Sequence, residues 1–254
     1  SLLAVTIVDW TTNNMLEHIY DRLLDRDPKT FKPTPALATE WKIVNDTTWE
    51  FKLRKGVKFH NGEPFTAASV KATIEYTLDP ANKTHYTAGA YWGLVKEVPV
   101  VDDYTVKLVL KEPYAGFLYL LTPYRAGPIV NARAVAEKGQ GYAWDPIGTG
   151  PYAFESRIPN REAVIRANEK HWGSAPAIKK VMYRTVTDAN AQVIGLENGE
   201  YDLIYSQIRE QAVNDRLKRA GFKETLVHRN FPQVLMMNVT VKPFDNVKVR
   251  QAIA

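Results

Sequence analysis

The chain has 254 residues, 45% hydrophobic and 24% charged, which supplies a core for one large domain or two smaller ones and excludes a disordered polypeptide. Its net charge of +5 comes from 33 Lys and Arg against 28 Asp and Glu, but the cations stand singly or in pairs such as Lys179-Lys180, so no basic face points to nucleic acid. The absence of cysteine excludes thiolate metal sites, disulfides and cysteine nucleophiles, and it suits an oxidising compartment as well as the cytosol.

No basic, apolar, small-residue leader pattern opens at Ser1, and apolar runs such as Phe117-Leu118-Tyr119-Leu120-Leu121 are too short to span a bilayer. Met15, Leu16, Ile19, Tyr20, Leu23 and Leu24 recur at one-face spacing and predict a helix from Asn14 to Leu24, entered through Thr11-Thr12-Asn13-Asn14. Asp27-Pro28 and Pro33-Thr34-Pro35 break the chain, leaving Ala36 to Trp41 at most a short helical turn before strands. Trp49-Glu50-Phe51-Lys52-Leu53 and Val57-Lys58-Phe59-His60 alternate as antiparallel strands, Asn61-Gly62 marks a tight turn, and Thr66 caps a helix through Val70, Ile74 and Leu78 that Asp79-Pro80 stops.

A strand follows at Tyr104 to Leu110, then short helices at Phe117 to Leu121 and at Asn131 to Lys138, the latter ended by Gly139. Pro146-Ile147-Gly148-Thr149-Gly150-Pro151-Tyr152 suits neither a helix nor a central strand. We read it as a joint between two structural units; a phosphate loop would need Lys and Ser/Thr where Tyr152-Ala153-Phe154 stand. Beyond it, Tyr152 to Ser156 and Ala163 to Ala167 form a hairpin about Pro159-Asn160, and Val181 to Val186 adds a strand. Asp188 caps a helix that stops at Gly199, Tyr201 to Tyr205 is a strand, Gln211 to Ala220 a helix, and Lys223 to His228 and Val234 to Val239 two further strands. The order predicts an α/β fold with a mixed sheet covered by helices. A last helix, capped by Asp245, runs to Ala254 without a stop signal, as in a truncated protein.

Candidate chemistry is sparse. His18, His60, His85, His171 and His228 are dispersed without HExxH or carboxylate-bracketed spacing, so each reads as a core or surface histidine. Asp102-Asp103 and Glu200 with Asp202 are the close acidic groups, and they read as a turn and a helix exit better than as the acid and base of a hydrolase.

Several separated segments together resemble the family 5 extracellular solute-binding proteins, the peptide and nickel binding components of ABC importers. They are Tyr20-Asp21-Arg22-Leu23-Leu24, Pro35-Ala36-Leu37-Ala38 with Trp41, Trp49 to Asn61-Gly62-Glu63-Pro64-Phe65, and Gly148-Thr149-Gly150-Pro151-Tyr152. They continue with Asn168 and His171-Trp172, Leu196 to Asp202, Asn238, Pro243-Phe244-Asp245 and Val249-Arg250-Gln251-Ala252-Ile253. The resemblance implies the first half of a periplasmic-binding-protein-like molecule. Residues 1–30 and 148–254 would form a first-lobe sheet domain, residues 31–147 an inserted α+β subdomain, and the second lobe would lie beyond this chain.

The resemblance also implies function: no catalysis and no cofactor or metal, but capture of a peptide or similar polar solute between two lobes by a monomer that hands it to a membrane permease, in the periplasm or at the cell surface. Ligand contacts would come from Trp10, Thr11 and Thr12, from Tyr91 and Trp92, and from Tyr124 and Arg125. Trp10 and Trp92 suit a core as well as ligand stacking. Arg125, between Tyr124 and Ala126-Gly127-Pro128, suits a carboxylate or phosphate as well as the surface. Gln233 and Asn238, flanking the strand that heads toward the second lobe, read as structural. Nickel chelates, oligosaccharides and opine-like anions are the alternative ligands.

Overall fold

Met15, Leu16 and Ile19 are buried along one face of the first helix, α1 (Trp10–Ile19), and Tyr20 is buried just past its end. The helix ends five residues before the expected Leu24. Continuing it would require the Leu23 N–H to reach the Ile19 carbonyl, but Gly150 N–H already donates to that oxygen at 2.9 Å. Leu23 and Leu24 are buried as the pattern demanded, in a different core, with Leu24 opening strand β1 (Leu24–Arg26). β1 pairs antiparallel with β2 (Pro33–Pro35), whose prolines are tolerated in a two-stranded ribbon; the stretch from Ala36 thus leads out of a strand instead of forming a helical turn.

The computed structural model describes residues 10–82, 91–123, 128–204, 211–225 and 237–253. Its chain divides into two compact units, Ser1–Thr185 and Val186–Ala254.

In the first unit, β3 (Ala38–Asn45) and β4 (Thr48–Leu53) form a hairpin. Alternation along β4 buries Trp49, Phe51 and Leu53 and turns Glu50 and Lys52 outward. Residues 57–65 wrap tightly about Asn61-Gly62, with Phe59 N–H on the Glu63 carbonyl (2.8 Å) and Phe65 N–H on the Val57 carbonyl (3.0 Å). The expected strand at Val57 to His60 is therefore reduced to one bridge, Lys58 to Pro64. Helix α2 (Ala67–Leu78) starts at Thr66, whose N–H donates to Ser69 Oγ, and buries Ala67, Val70 and Ile74.

Strands β5 (Val95–Glu97), β6 (Val100–Asp102) and β7 (Thr105–Leu110) complete an antiparallel sheet of order β3-β4-β7-β5, with β6 also on β7. Phe51 faces Val106 and Trp49 faces Leu108 across the β4–β7 register. Phe51, Val106 and Leu108 are fully buried, and each contributes about 1.5–3 kcal/mol by the transfer of its apolar surface from water.

Two short helices follow, α3 (Phe117–Leu120) and α4 (Ala132–Lys138). Asn131 caps α4 by accepting the Ala134 N–H, and Gly139, at φ 52°, ends it. The hairpin of β8 (Tyr152–Ile158) and β9 (Glu162–Ala167) turns at Asn160, φ 57°, and β10 (Lys180–Arg184) adds to β9.

Two cores run through this unit. One gathers residues from Leu23 to Ile129 around the five-stranded sheet, and the other gathers α1, Val130, α4, Tyr142, β8 and β9. The change of core thus falls between Ile129 and Val130, while Ile147 at the joint packs against both.

In the second unit, Asp188 accepts the Ala191 N–H at 2.7 Å and caps α5 (Ala189–Glu197), followed by α6 (Gln211–Arg219) and α7 (Val247–Ile253). The cap of α7 is Asn246, whose Oδ1 accepts the Lys248 N–H, and not the expected Asp245. Residues 201–204 form no strand, nor do 223–225 and 237–239 of the two expected strands at Lys223 to His228 and Val234 to Val239; Tyr205 and the remaining halves, 226–228 and 234–236, lie outside the described residues. All described strand pairings are antiparallel. No described helix is long and apolar enough to cross a membrane.

Candidate functional site

The geometry converges on the joint. A Cβ at Gly148 would lie 2.0 Å from the Ile19 carbonyl oxygen, and one at Gly150 would lie 2.6 Å from the His18 carbonyl oxygen, so both positions require glycine for the crossing to lie against the end of α1. Burying bare backbone there demands partners for its polar groups, and those of both glycines have them. Gly148 N–H donates to His60 Nδ1 (3.3 Å), and Gly148 O accepts from His60 N–H (2.9 Å). Gly150 N–H goes to Ile19 O, while Gly150 O accepts from His60 Nε2 (3.0 Å) and Asn168 Nδ2 (3.1 Å). His60 is therefore neutral with its proton on Nε2, the tautomer that both bonds require. Burial pushes His60 below the ordinary histidine range, only partly opposed by its bond to Gly150 and by nearby Asp21.

Asp21, just past α1, is the second centre. Its Oδ2 accepts from Trp172 Nε1 at 2.7 Å and from Thr149 Oγ1 at 2.9 Å. His171 Nε2 stands 3.8 Å from the same oxygen, close enough for charge attraction but too long for a hydrogen bond. Burial alone pushes the Asp21 carboxyl up, but His171, Trp172 and Thr149 outweigh it and hold the group below the usual carboxylate range. The Arg54 guanidinium lies 4.3 Å over the Trp172 ring and donates from Nε to Ala36 O, so the loop after β9 is fastened to the first sheet as well.

Of the expected ligand contacts, Trp10, Thr11 and Thr12 form the first turn of α1, the helix whose other end this joint clamps. Tyr91 is half-buried; Trp92, 1% exposed, sits in the first core with no hydrogen-bond partner for its indole N–H among the described residues. Tyr124 and Arg125 lie outside the described residues. The polar cluster of Asp21, His60, Thr149, Asn168 and Trp172 is absent from the sequence-derived site. Every one of its members lies within or beside a segment that carried the resemblance, and that coincidence was the available signal.

Asp102 Oδ1 accepts the Tyr104 N–H at 2.8 Å, and that bond holds its carboxyl below the ordinary range, so Asp102 is a turn residue as its spacing suggested. Glu200 N–H donates to the Gly195 carbonyl, closing the end of α5. No group of three potential metal ligands occurs among the described residues.

This architecture is that of a periplasmic binding protein. MoaA from A. tumefaciens R10, a PBP/SBP solved in complex with mannopinic acid, matches with a TM-score of 0.85 at 26% identity, covering 100% of this chain and 52% of that one. DppA from Helicobacter pylori, an ABC transporter-associated periplasmic binding protein in complex with peptide STSA, matches with a TM-score of 0.78 at 26% identity over 86% of this chain and 46% of that one.

Residues 32–254 match the family model for bacterial extracellular solute-binding proteins, family 5 Middle, and the chain belongs to that family. The glutathione-binding protein GsiB of Pectobacterium atrosepticum is 31% identical over 252 residues, 96% of this chain and 47% of that protein. The chain thus spans about half the length of the curated relatives it matches, which are glutathione-binding proteins.

Proposed function

We propose that this chain is the first lobe of a solute-binding protein that captures a short peptide, or a peptide-like solute with free carboxylates, and delivers it to the permease of an ABC importer in the periplasm or at the cell surface. The observation that carries the reading is the 31% identity to a glutathione-binding protein over 96% of the chain. Glutathione is itself a small peptide with two carboxylates, and the DppA match was solved with a peptide bound. Capture is a shift between open and closed states, without catalysis and without a cofactor.

In this reading the ligand contacts come from Trp10, Thr11 and Thr12 in the first turn of α1 and from half-buried Tyr91, whereas its neighbour Trp92 is part of the core. Arg125, next to Tyr124 in the chain, supplies a planar cation for a ligand carboxylate. The domain reading that goes with it makes residues 31–147 a subdomain inserted between residues 1–30 and 148–254. A second reading, an opine-like anion, has one observation in its favour: the mannopinic acid binder superposes over the whole chain. Native mass spectrometry of the protein purified from its own host tests both. A ladder of peptide masses supports the first reading; a single non-peptide mass replaces it with the second.

A further inference from the structure

One residue, His60, holds both glycines of the joint through three bonds: its backbone N–H to Gly148 O, its ring Nδ1 from Gly148 N–H, and its ring Nε2 to Gly150 O. The imidazole is positioned from the tight wrap of residues 57–65, which Phe59 and Phe65 anchor in the first core. The glycines it holds lie against the last turn of α1, which belongs to the second core. His60 therefore links the two cores at the point where α1 is clamped.

We infer that His60 is a positioning residue for ligand capture that works only as the neutral imidazole, so that acid releases the clamp on α1 and with it the presentation of the helix's first turn. The inference rests on the proposed function for its link to ligand, and on the joint's geometry for the rest. Protonation places a hydrogen on Nδ1 where Gly148 N–H now donates, leaving two donors facing each other 3.3 Å apart. No rotation of the ring relieves this, because the charged imidazole has no acceptor on either nitrogen.

The charged and titratable groups around His60 come from three places: Asp21 after α1, Arg166 on β9 and His171 in the loop after β9. Asp21 favours the cation, whereas Arg166, His171 and burial oppose it, and burial is the largest of these influences. His60 thus stays neutral at pH 7 and takes up its proton in the acid range below the ordinary histidine value.

The test is amide hydrogen exchange of the purified protein at a series of pH values from 7.5 down to 4.0, corrected for the intrinsic pH dependence of exchange, for wild type and for His60→Gln and His60→Asn. Each amide variant keeps a donor and an acceptor but cannot titrate. Wild type is expected to lose about fivefold protection at Gly148, Gly150 and through residues 10–19 on acidification, the equilibrium factor of one net hydrogen bond. Both variants are expected to show no pH step, whatever their baseline. Unchanged wild-type protection, or the same step in the variants, overturns the inference. Exchange needs no ligand, so a failure here is separate from a failure of the proposed function, which the co-purified mass decides.

Discussion

Removing the Asp21 carboxylate isolates the energetics of the joint. Its Oδ2 receives two short charge-assisted hydrogen bonds, from Trp172 and Thr149, and the side chain is only 15% exposed. Asp21→Ala leaves both donors unpaired beside the crossing. At about 1.5–3 kcal/mol for each bond to a charged group, less what water recovers at the exposed edge, the expected loss is about 3–5 kcal/mol. Asp21→Asn separates charge from geometry. Both donors use one oxygen, so an amide oriented with its carbonyl at that position keeps both bonds in neutral form and is expected to cost about 1–2 kcal/mol.

The pH dependence supplies an independent check. Folding holds the Asp21 pKa below its ordinary value, so its contribution is fully present above the unfolded value of about 3.9 and is lost as pH falls through the folded value. Wild type and Asp21→Asn should therefore differ at pH 7 and converge in strong acid. Urea unfolding at a series of pH values, with the slope held constant between variants, measures this. An Asp21→Ala protein within about 1 kcal/mol of wild type at pH 7 would refute the assignment of the carboxylate as the tie between α1, the joint and the β9 loop.

Gly148→Ala drives a methyl group into the Ile19 carbonyl and is expected to cost about 3 kcal/mol or more in urea unfolding, whereas Gly199→Ala, at φ 74° with open space around it, should cost about 1–2 kcal/mol. Equal costs would refute the close approach. Trp172→Phe keeps a ring under Arg54 but removes the donor to Asp21, and is expected to lose about 1.5–3 kcal/mol in the same assay; no loss would show that Thr149 alone satisfies the carboxylate. If the ligand is anionic and Arg125 pairs with it away from water, Arg125→Ala should weaken binding by about 2 kcal/mol or more by calorimetry. Unchanged affinity returns Arg125 to the surface.

Local rules read much of the fold from sequence. Thr66, Asn131 and Asp188 sit one residue before α2, α4 and α5, and Gly139, Gly199 and Gly221 have positive φ just past α4, α5 and α6, because capping and left-handed backbone are decided within a few residues. The failures are tertiary. The apolar pattern from Met15 to Leu24 correctly marked buried positions, but the helix ends at Ile19 because residue 150 takes its carbonyl, a contact that no window of local sequence contains. The alternation of Val57 to His60 likewise marked burial of Val57 and Phe59 without a ladder, since the tight turn at Asn61-Gly62 leaves room for one bridge. Among the candidate ligand residues, Trp92 reads the same in sequence whether it is a core residue or a ligand contact, because an indole is mostly buried in either role.

The hub also accounts for why the segments that carried the family resemblance are short and far apart. Asp21, His60, Thr149 and Trp172 come from four of them, yet two hydrogen bonds join three of these residues through one carboxylate oxygen, and the fourth binds the glycines on either side of Thr149. A buried polar cluster tolerates little substitution, since removing any one member strands the others without partners. Surface positions between the segments carry no such constraint. The pattern is therefore what a crossing between two cores should leave in a sequence, and it assigns these four segments to holding α1 in place.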